Sequence, residues 1–400
     1  MIKKIINTLF TKFFSAIAGF AILVLVSHIL GTDGKGEQAI IAFNIYIITL
    51  VLNFVGNSTL IYFTPRKNFS SLVIPSWCWM VAISFLTSVV LFIIYGFENK
   101  FLWYALSISV IGALSEINYF ILMGKEKVVQ ANGVKLLLSI TNILILVFLV
   151  LIKQFDSIED YILSLWLANI ISLFYGLWLL KDEYKKIYLP SKNEMKESFK
   201  VLFSLGALKQ LGTIAQTLNY RLSFYILAFF LGREAVGIYS NACSIGEAVM
   251  LFGTSLALVQ YSSLSNKQSN KQSEKITIRL TEVNVAFTVS AMIVLCLLPE
   301  SFWVFLFGEG FEQVSLMVRI LALGITFLSC SSNFTQYFAA KGNFSISAFA
   351  SFIGLIVTLI LSFILIPRFG ISGAGFAASL SYFTTFIIEF IYFLKWIRRN

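Results

Sequence analysis

The sequence predicts an all-α integral membrane protein with twelve membrane-spanning helices. Of its 400 residues, 58% are hydrophobic and only 12% are charged, and the mean hydropathy is +0.85. Soluble globular domains carry about 25% charged residues. Apolar runs of about 20 residues recur along the whole chain, and each can cross a hydrocarbon core roughly 30 Å thick as a helix. A membrane β-barrel would show short alternating segments instead.

Polar connections separate the predicted spans and set their orientation. Segments on one side of the membrane carry 21 Lys and Arg residues, whereas those on the other carry five, including Lys35 and Arg233. Because cytoplasmic loops are enriched in Lys and Arg, both termini are predicted to be cytoplasmic. The same loops explain the net charge of +10, so no nucleic-acid partner is predicted. The predicted spans are residues 13–30, 39–63, 72–96, 101–123, 132–152, 159–180, 199–231, 234–262, 278–298, 313–340, 344–366 and 371–395.

A polar linker divides the chain into two halves of six spans each. This linker, residues 181–200, contains six lysines, four acidic residues and Pro190. The predicted domains are an N-terminal six-helix bundle, residues 1–190, and a C-terminal six-helix bundle, residues 191–400.

The two halves also share a short motif. The first and seventh spans are each followed by the spacing L-G-x4-G, from Leu30 to Gly36 and from Leu231 to Gly237. With six spans per half, the two copies have the same orientation in the membrane, and such a parallel repeat favours a cleft between the halves.

Three charged residues lie inside spans seven and eight: Lys209, Arg221 and Glu247. A charge in the middle of a membrane helix costs roughly 2.5 to 3.5 kcal/mol, and such residues usually face a bundle interior or a water-filled path. Counted from the turn at Gly232, Glu247 is offset in depth by roughly 6 Å from Arg221 and roughly 12 Å from Lys209. Arg221 is therefore its predicted partner. The charges form a static ion pair. Alternatively, the cations form a ladder that binds an anionic substrate, and Glu247 holds the site when it is empty.

Polar residues form one face of span seven. Thr213 and Gln216 recur with Lys209, Tyr220 and Ser223 at steps of three and four, which places them in a narrow arc of a helix. Such a face lines an aqueous cavity, or it hydrogen-bonds neighbouring helices. We favour the cavity.

Other charges are less distinctive. Glu116 lies well inside span four without a local cation, so it is either a proton-coupling carboxylate or an acid kept neutral by burial. Arg319, within reach of the outer interface, is a further candidate for substrate binding, although snorkelling to that interface also explains it. Lys135 and Glu389 lie within reach of the cytoplasmic interface, where snorkelling explains both.

No enzyme signature is found. The chain lacks the G-x-x-x-x-G-K-[ST] phosphate-binding pattern, which argues against ATP-driven transport. A Ser or Cys nucleophile would have only His28 as a partner, and the four cysteines show no metal or disulfide spacing. We predict no enzymatic activity, metal or cofactor. An ion gradient, the membrane potential or a substrate gradient would drive transport.

Four stretches carry a family resemblance. The run LNYRLSFYILAFFLGREAVGIYSNACSIGEA, from Leu218 to Ala248, resembles helices seven and eight of bacterial polysaccharide flippases of the Wzx type. These belong to the multidrug/oligosaccharidyl-lipid/polysaccharide (MOP) exporter superfamily. The other stretches are HILGTDGKGEQAI with NFVGNSTLIYF near the start, AAKGNFSISA from Ala339, and LIPRFGISGAGFAASLSY from Leu365.

The resemblance implies a fold and a substrate. The fold is two six-helix bundles around a central V-shaped cavity, lined chiefly by helices one, two, seven and eight and open to each side in turn. The substrate is an undecaprenyl-pyrophosphate-linked oligosaccharide repeat unit, moved from the cytoplasmic to the outer leaflet of the bacterial inner membrane. The polysaccharide assembled from these repeat units is O-antigen of lipopolysaccharide, capsule or another surface polysaccharide. The polymerase and the chain-length regulator of the same pathway are implied partners.

The resemblance also implies roles for charged residues. A basic lumen suits the diphosphate, so Lys209 and Arg221 would be its ligands. Many relatives have an acidic residue two places after this arginine, where the present chain has Ser223. That departure leaves Glu116 and Glu247 as the candidates for coupling or gating.

Two alternatives differ in expected sequence features. A multidrug or solute antiporter of the same superfamily that exports cations would need an acidic lumen, whereas the deep cations here at least equal the acids. A membrane polymerase or ligase of the same pathway typically needs a large external loop with catalytic residues. The predicted outer loops are short.

We expect Arg221→Ala to impair export more than Arg319→Ala, because Arg221 lies deeper and on the polar face. Both variants should insert into the membrane normally. The measurement is polysaccharide export at matched protein level. Wild-type export by both variants would remove Arg221 from the site.

Overall fold

The computed structural model describes residues 2–96, 98–152, 155–265 and 270–399, and within these ranges it is helical without any strand. This confirms the predicted all-α class. The helices are α1 Ile2–Leu52, α2 Thr59–Phe63, α3 Phe69–Tyr95, α4 Lys100–Gly124, α5 Val128–Leu151, α6 Ile158–Leu179, α7 Lys181–Tyr184, α8 Lys192–Leu231, α9 Arg233–Ser265, α10 Asn270–Leu297, α11 Glu300–Phe307, α12 Val314–Ala340, α13 Phe344–Phe369 and α14 Ile371–Arg399.

Ten helical segments within the described residues are long and apolar enough to cross a membrane. One of them, Phe10–Leu52, covers the first predicted span and part of the second. Gly31 interrupts α1 there with φ 64°, a left-handed conformation that favours glycine. The seventh predicted span lies in α8, which is not one of these ten segments. The chain is a multi-pass membrane protein, and the count of twelve spans stays a prediction.

Two segments differ from the predicted spans and loops. The second span was predicted to continue to residue 63, but α1 ends at Leu52 and a separate short helix, α2, follows. The predicted outer loop before span ten contains α11, which begins after Pro299 and ends at Gly308. Trp303 and Phe307 are one turn apart and almost fully buried, so burial of one aromatic face stabilises this short helix.

The chain forms two compact units whose boundaries differ from the predicted domains. Unit 1 contains the residues up to Leu23 together with Ile41–Gln210, and unit 2 contains Val24–Ile40 together with the residues from Leu211 onward. The predicted boundary at residue 190 precedes α8, but this helix is continuous and the unit boundary lies within it.

Unit 1 is organised around α4, which packs against α2, α3, α5 and α6. Its core includes the fully buried Leu60, Leu72 and Ile117. The hydroxyls of Ser115 and Ser172 lie 3.2 Å apart, and Ser172 donates to the carbonyl oxygen of Val134 at 3.0 Å. Small hydroxyl residues of this kind allow membrane helices to pack closely and to bond one another.

Unit 2 is organised around α12, which packs against α9, α10, α13 and α14. A buried amide network joins three of these helices. Asn284 donates to Asn333 Oδ1 at 2.7 Å, and Asn333 donates to Gln260 Oε1 at 2.7 Å. Because each amide is paired with another, α9, α10 and α12 are held in one register.

The two L-G-x4-G motifs meet each other within unit 2. A Cβ atom at Gly36 would overlap the carbonyl oxygen of Arg233, and one at Gly237 would overlap the carbonyl oxygen of Thr32. Thr32 and Arg233 occupy the same position in their motifs, directly after the first glycine. The contact between α1 and α9 is therefore reciprocal, and it requires glycine on both sides.

We expect Gly237→Ala to lower the thermal unfolding temperature of the purified protein in detergent. The added methyl group meets a backbone carbonyl that cannot rotate away, and overpacking of this kind costs about 1 to 3 kcal/mol. The control is Gly19→Ala in α1, where an added Cβ meets nothing within 4 Å. That change should be neutral or stabilise the helix by about 1 kcal/mol or less. Equal unfolding temperatures would show that the glycine contact is not close.

Candidate functional site

An ion pair in unit 2 is the centre of the candidate site. Arg221 on α8 donates from Nη2 to both carboxylate oxygens of Glu247 on α9, at 2.6 and 2.7 Å. The side chain of Glu247 is 46% exposed and that of Arg221 is 23% exposed, so the carboxylate is the more accessible partner. The guanidinium also lies 5.1 Å from the centroid of the Phe224 ring. The structure contains the pair predicted from depth along the helices.

Lys35 is a further charge at this site, and its predicted position in an outer loop was wrong. Helix α1 continues past its kink to Leu52, which places Lys35 inside a helix with only 4% of its surface exposed. Its ammonium group donates to the side-chain oxygen of Gln38, one turn later. Lys35 also interacts electrostatically with Arg221 and Glu247. The Glu247 carboxylate therefore interacts electrostatically with two cations that lie on different helices.

A cavity of about 210 Å³ lies beside Glu247, between α8, α9, α12 and α14. The rings of Tyr220 and Tyr382 meet edge to face at 5.6 Å. Sequence analysis identified Tyr220 and Glu247 but missed Tyr382, because periodicity along one helix does not show which later helix packs against it. The lining residues are Tyr220, Cys243, Glu247, Met250, Leu251, Thr254, Leu321, Ile325, Leu328 and Tyr382.

The polar face of α8 has an accessible part and a buried part. Gln216 is exposed and donates to the Tyr220 hydroxyl at 2.7 Å, while Thr213 is half-buried. Ser223 is buried, with 1% of its surface exposed. The neighbouring Asn219 accepts hydrogen bonds from Thr358 and Ser381 at 2.5 and 2.7 Å. This helix therefore both borders a cavity and bonds its neighbours.

Two other candidate ligands are not joined to this cavity by a described contact. Lys209 lies within α8, but its side chain is outside the described residues. Arg319 is exposed and donates from Nε to the carbonyl oxygen of Cys296 at 3.1 Å. It is not among the described residues that line the cavity. Substrate binding by either residue stays a prediction.

Glu116 has a cation partner, so its predicted isolation was wrong. Lys135 Nζ lies 3.0 Å from one carboxylate oxygen of Glu116, and Asn53 donates to the other at 2.9 Å. Helices α4 and α5 pack against each other after a short turn, which brings these distant sequence positions together. Glu116 is therefore a carboxyl group with two polar partners, and its role in proton coupling stays a prediction. The ion pair also replaces the predicted snorkelling of Lys135.

Glu389 is also placed differently from its prediction. It is 1% exposed, and its carboxylate accepts hydrogen bonds from the hydroxyls of Ser331 and Thr335 on α12. Snorkelling therefore does not describe this side chain, which is held between α12 and α14.

A larger cleft, of about 410 Å³, lies in unit 1 near the first residues of α3 and α8. Lys67 and Glu197 pair there at 2.7 Å, and this partner lowers the pKa of the Glu197 carboxyl. The cleft mixes both signs of charge and includes none of the predicted site residues. Its lining residues are Pro65, Arg66, Lys67, Asn68, Ser71, Glu194, Glu197 and Ser198.

Comparisons with known sequences point to surface-glycan biosynthesis. The family described as "Polysaccharide biosynthesis protein" matches residues 139–316. "Capsular polysaccharide biosynthesis protein CapF" of Staphylococcus aureus is 25% identical over 287 residues, covering 70% of this chain and 71% of that protein. "Probable low-salt glycan biosynthesis flippase Agl15" of Haloferax volcanii is 24% identical over 62% of this chain. The present chain spans 52%, about half, of Agl15.

Solved structures identify the fold. The inward closed conformation of lipid II flippase MurJ matches with a TM-score of 0.77 at 17% identity, covering 97% of this chain and 87% of that one. An inward-facing multidrug resistance MATE family transporter of the MOP superfamily matches with a TM-score of 0.75 at 12% identity, covering 96% and 95%. This chain has the fold shared by these two proteins. Together with the polysaccharide-biosynthesis matches, this confirms the resemblance to polysaccharide flippases predicted from the sequence.

Within this fold, a double-mutant cycle tests the coupling of Lys35 to Glu247. Glu247→Gln leaves two cations without their carboxylate, so we expect it to lower the unfolding temperature, and Lys35→Met in that background to recover part of the loss. The coupling should be about 0.5 to 3 kcal/mol. It is measured from thermal unfolding of the wild type, both single variants and the double variant.

The control for this cycle is Glu197→Gln, which removes one partner of the ion pair with Lys67. Because Glu197 is 69% exposed, its loss should leave the unfolding temperature almost unchanged. Additive effects of the Lys35 and Glu247 changes would show that these two charges are not coupled.

Proposed function

We propose that this protein is a flippase that moves undecaprenyl-pyrophosphate-linked oligosaccharide repeat units from the cytoplasmic to the outer leaflet for surface polysaccharide biosynthesis. The observation that carries the proposal is the ion pair of Arg221 with Glu247, together with the buried Lys35 that interacts electrostatically with both, inside a bundle that shares the fold of MurJ. The names of CapF and Agl15 support the connection to glycans.

The charge at this site favours an anionic group. Two basic side chains, Lys35 and Arg221, lie near one carboxylate, and a low-dielectric interior strengthens the attraction of a cation for an anion. Arginine also presents a fork of donors that matches phosphate oxygens. In the proposed cycle, Glu247 neutralises the cations when the site is empty, and the diphosphate takes its place when substrate binds.

Alternating access is part of the proposal. In the predicted orientation both L-G-x4-G motifs lie on the outer side, where their reciprocal contact closes α1 against α9. Arg233 crosses the same contact, with Glu37 at 2.6 Å and Asp33 at 3.3 Å. Release toward the outer leaflet would require these ion pairs and the glycine contact to separate. Glu247 and Glu116 are the proposed coupling or gating residues.

The proposed location is the bacterial inner membrane, with both termini cytoplasmic. The polymerase and the chain-length regulator of the same pathway are proposed partners. CapF, Agl15 and MurJ are named for biosynthesis or as flippases, and a non-enzymatic role agrees with those names.

A multidrug exporter is the second candidate, because a MATE family transporter has nearly the same TM-score as MurJ. A cationic drug would meet two basic side chains, Lys35 and Arg221. This repulsion favours the flippase.

The test is deletion of the gene in its host, with lipid-linked oligosaccharide measured by leaflet and surface polysaccharide measured alongside. We expect single repeat units to accumulate on the inner leaflet and to be cleared when the wild type is expressed again. If units reach the outer leaflet but stay unpolymerised, the protein is a polymerase or ligase of that pathway.

Complementation with Lys35→Met tests the site. We expect about tenfold less export, the scale of one lost charge-assisted contact. The matched control is Lys100→Met, because Lys100 is 55% exposed and pairs with Glu159 away from the cavity. Full complementation by both variants at equal protein level would remove Lys35 from the transport path.

A further inference from the structure

The cavity beside Glu247 has the capacity of one sugar ring. Its volume is about 210 Å³. Pockets for drug-sized ligands measure roughly 300 to 1,000 Å³. One six-membered ring with its hydroxyl groups fits this smaller volume.

The lining matches the two kinds of surface that a sugar ring presents. A pyranose has C–H groups on its faces and hydroxyls around its edge. The aromatic rings of Tyr220 and Tyr382 offer electron-rich faces to C–H groups. The carboxylate of Glu247 accepts hydrogen bonds from hydroxyls, and it has more lone pairs than the contact with Arg221 uses. Thr254, whose hydroxyl donates to its own helix at 3.1 Å, keeps its acceptor capacity.

The same lining disfavours a diphosphate. No cationic side chain is among the described residues that line the cavity, whereas Glu247 is. A phosphate oxygen facing this carboxylate would meet a like charge, which is repulsive. The cations at the site, Lys35 and Arg221, are not among the residues that line the cavity.

The lining also disfavours an isoprenoid chain, although most of its residues are apolar. The side chain of Glu247 is 46% exposed, so a group in the cavity can reach the carboxylate. A hydrocarbon there would provide no hydrogen bond to this charged group, which is costly. Sugar hydroxyls would provide such hydrogen bonds.

We propose that this cavity binds one uncharged sugar ring of the oligosaccharide, with its hydroxyls on Glu247 and its C–H groups in contact with Tyr220 and Tyr382. The diphosphate is bound separately, by Lys35 and Arg221. This inference rests on the proposed function and names the part of the substrate that each group recognises. Because hydroxyls on Glu247 compete with Arg221 for the same oxygens, sugar binding weakens the resting ion pair and makes Arg221 available to the diphosphate.

The test is saturation-transfer NMR on the purified full chain in lipid nanodiscs. The probes are the methyl pyranosides of glucose, galactose, rhamnose, N-acetylglucosamine and glucuronic acid. We expect transfer to at least one uncharged pyranoside and weaker transfer to the glucuronide, because Glu247 repels a second carboxylate. The competitors are inorganic pyrophosphate and farnesol, and neither should displace the bound pyranoside.

Two variants and a control locate the binding. Thr254→Trp fills the cavity and should abolish the signal, and Tyr382→Leu should weaken it about fivefold, the scale of one lost aromatic contact. The control is Ser84→Trp on α3, where the hydroxyl also donates to a carbonyl three residues earlier. It should bind like the wild type. Since Thr254 is exposed, Thr254→Trp should keep the wild-type unfolding temperature. If Tyr382→Leu does not fold, the binding measurement on Thr254→Trp is sufficient to test the proposal.

The outcomes are distinct. Displacement by pyrophosphate would assign the cavity to the diphosphate, and displacement by farnesol would assign it to the isoprenoid; either overturns the inference. Transfer to none of the uncharged pyranosides, or equal transfer in Thr254→Trp, also overturns it. The leaflet measurement tests the flippase activity independently of sugar binding. The two experiments together therefore distinguish a flippase that binds no sugar in this cavity from a sugar-binding protein that has no flippase activity.

Discussion

A charge inside a membrane-spanning helix needs a partner, and this requirement explains much of unit 2. Glu247 on α9 pairs with Arg221 on the preceding helix α8 and interacts electrostatically with Lys35 on the distant helix α1. The second basic side chain is what distinguishes this site from a simple structural pair. An anion that binds both cations would release Glu247, and the helices would then lose one of the interactions that hold them.

Two other carboxylates, one in each unit, have polar partners within their own bundle. Glu116 is paired with Lys135, whereas Glu389 is surrounded by hydroxyls from α12. The first arrangement places a carboxyl group beside a cation, and the second surrounds one with neutral hydrogen-bond donors. Glu247 differs from Glu389 because it is half-exposed and borders a cavity. An acidic side chain in a membrane helix can contact a substrate only if it is exposed, as Glu247 is. A buried one, such as Glu389, holds helices together.

The fold was predictable because membrane helices satisfy their own backbone, so hydropathy along the chain shows where they lie. The ion pair of Arg221 with Glu247 followed from depth, since adjacent helices share a turn at Gly232. Lys35, Lys135 and Tyr382 were misplaced or missed for a common reason. Their partners lie on helices whose packing depends on side-chain shape, which a single sequence does not show. Lys35 was further obscured because glycines around it resemble a loop, although the helix resumes after Gly31.

The contact between the two glycine motifs depends on carbonyl oxygens, not on the side chains of the residues that supply them. Thr32 and Arg233 occupy matching positions, yet each was free to become a different amino acid without altering the backbone packing. Arg233 uses this freedom to hold Asp33 and Glu37, whereas Thr32 has no charge to contribute. Two copies of one motif can thus pack symmetrically through their main chains while their side chains carry unequal charges.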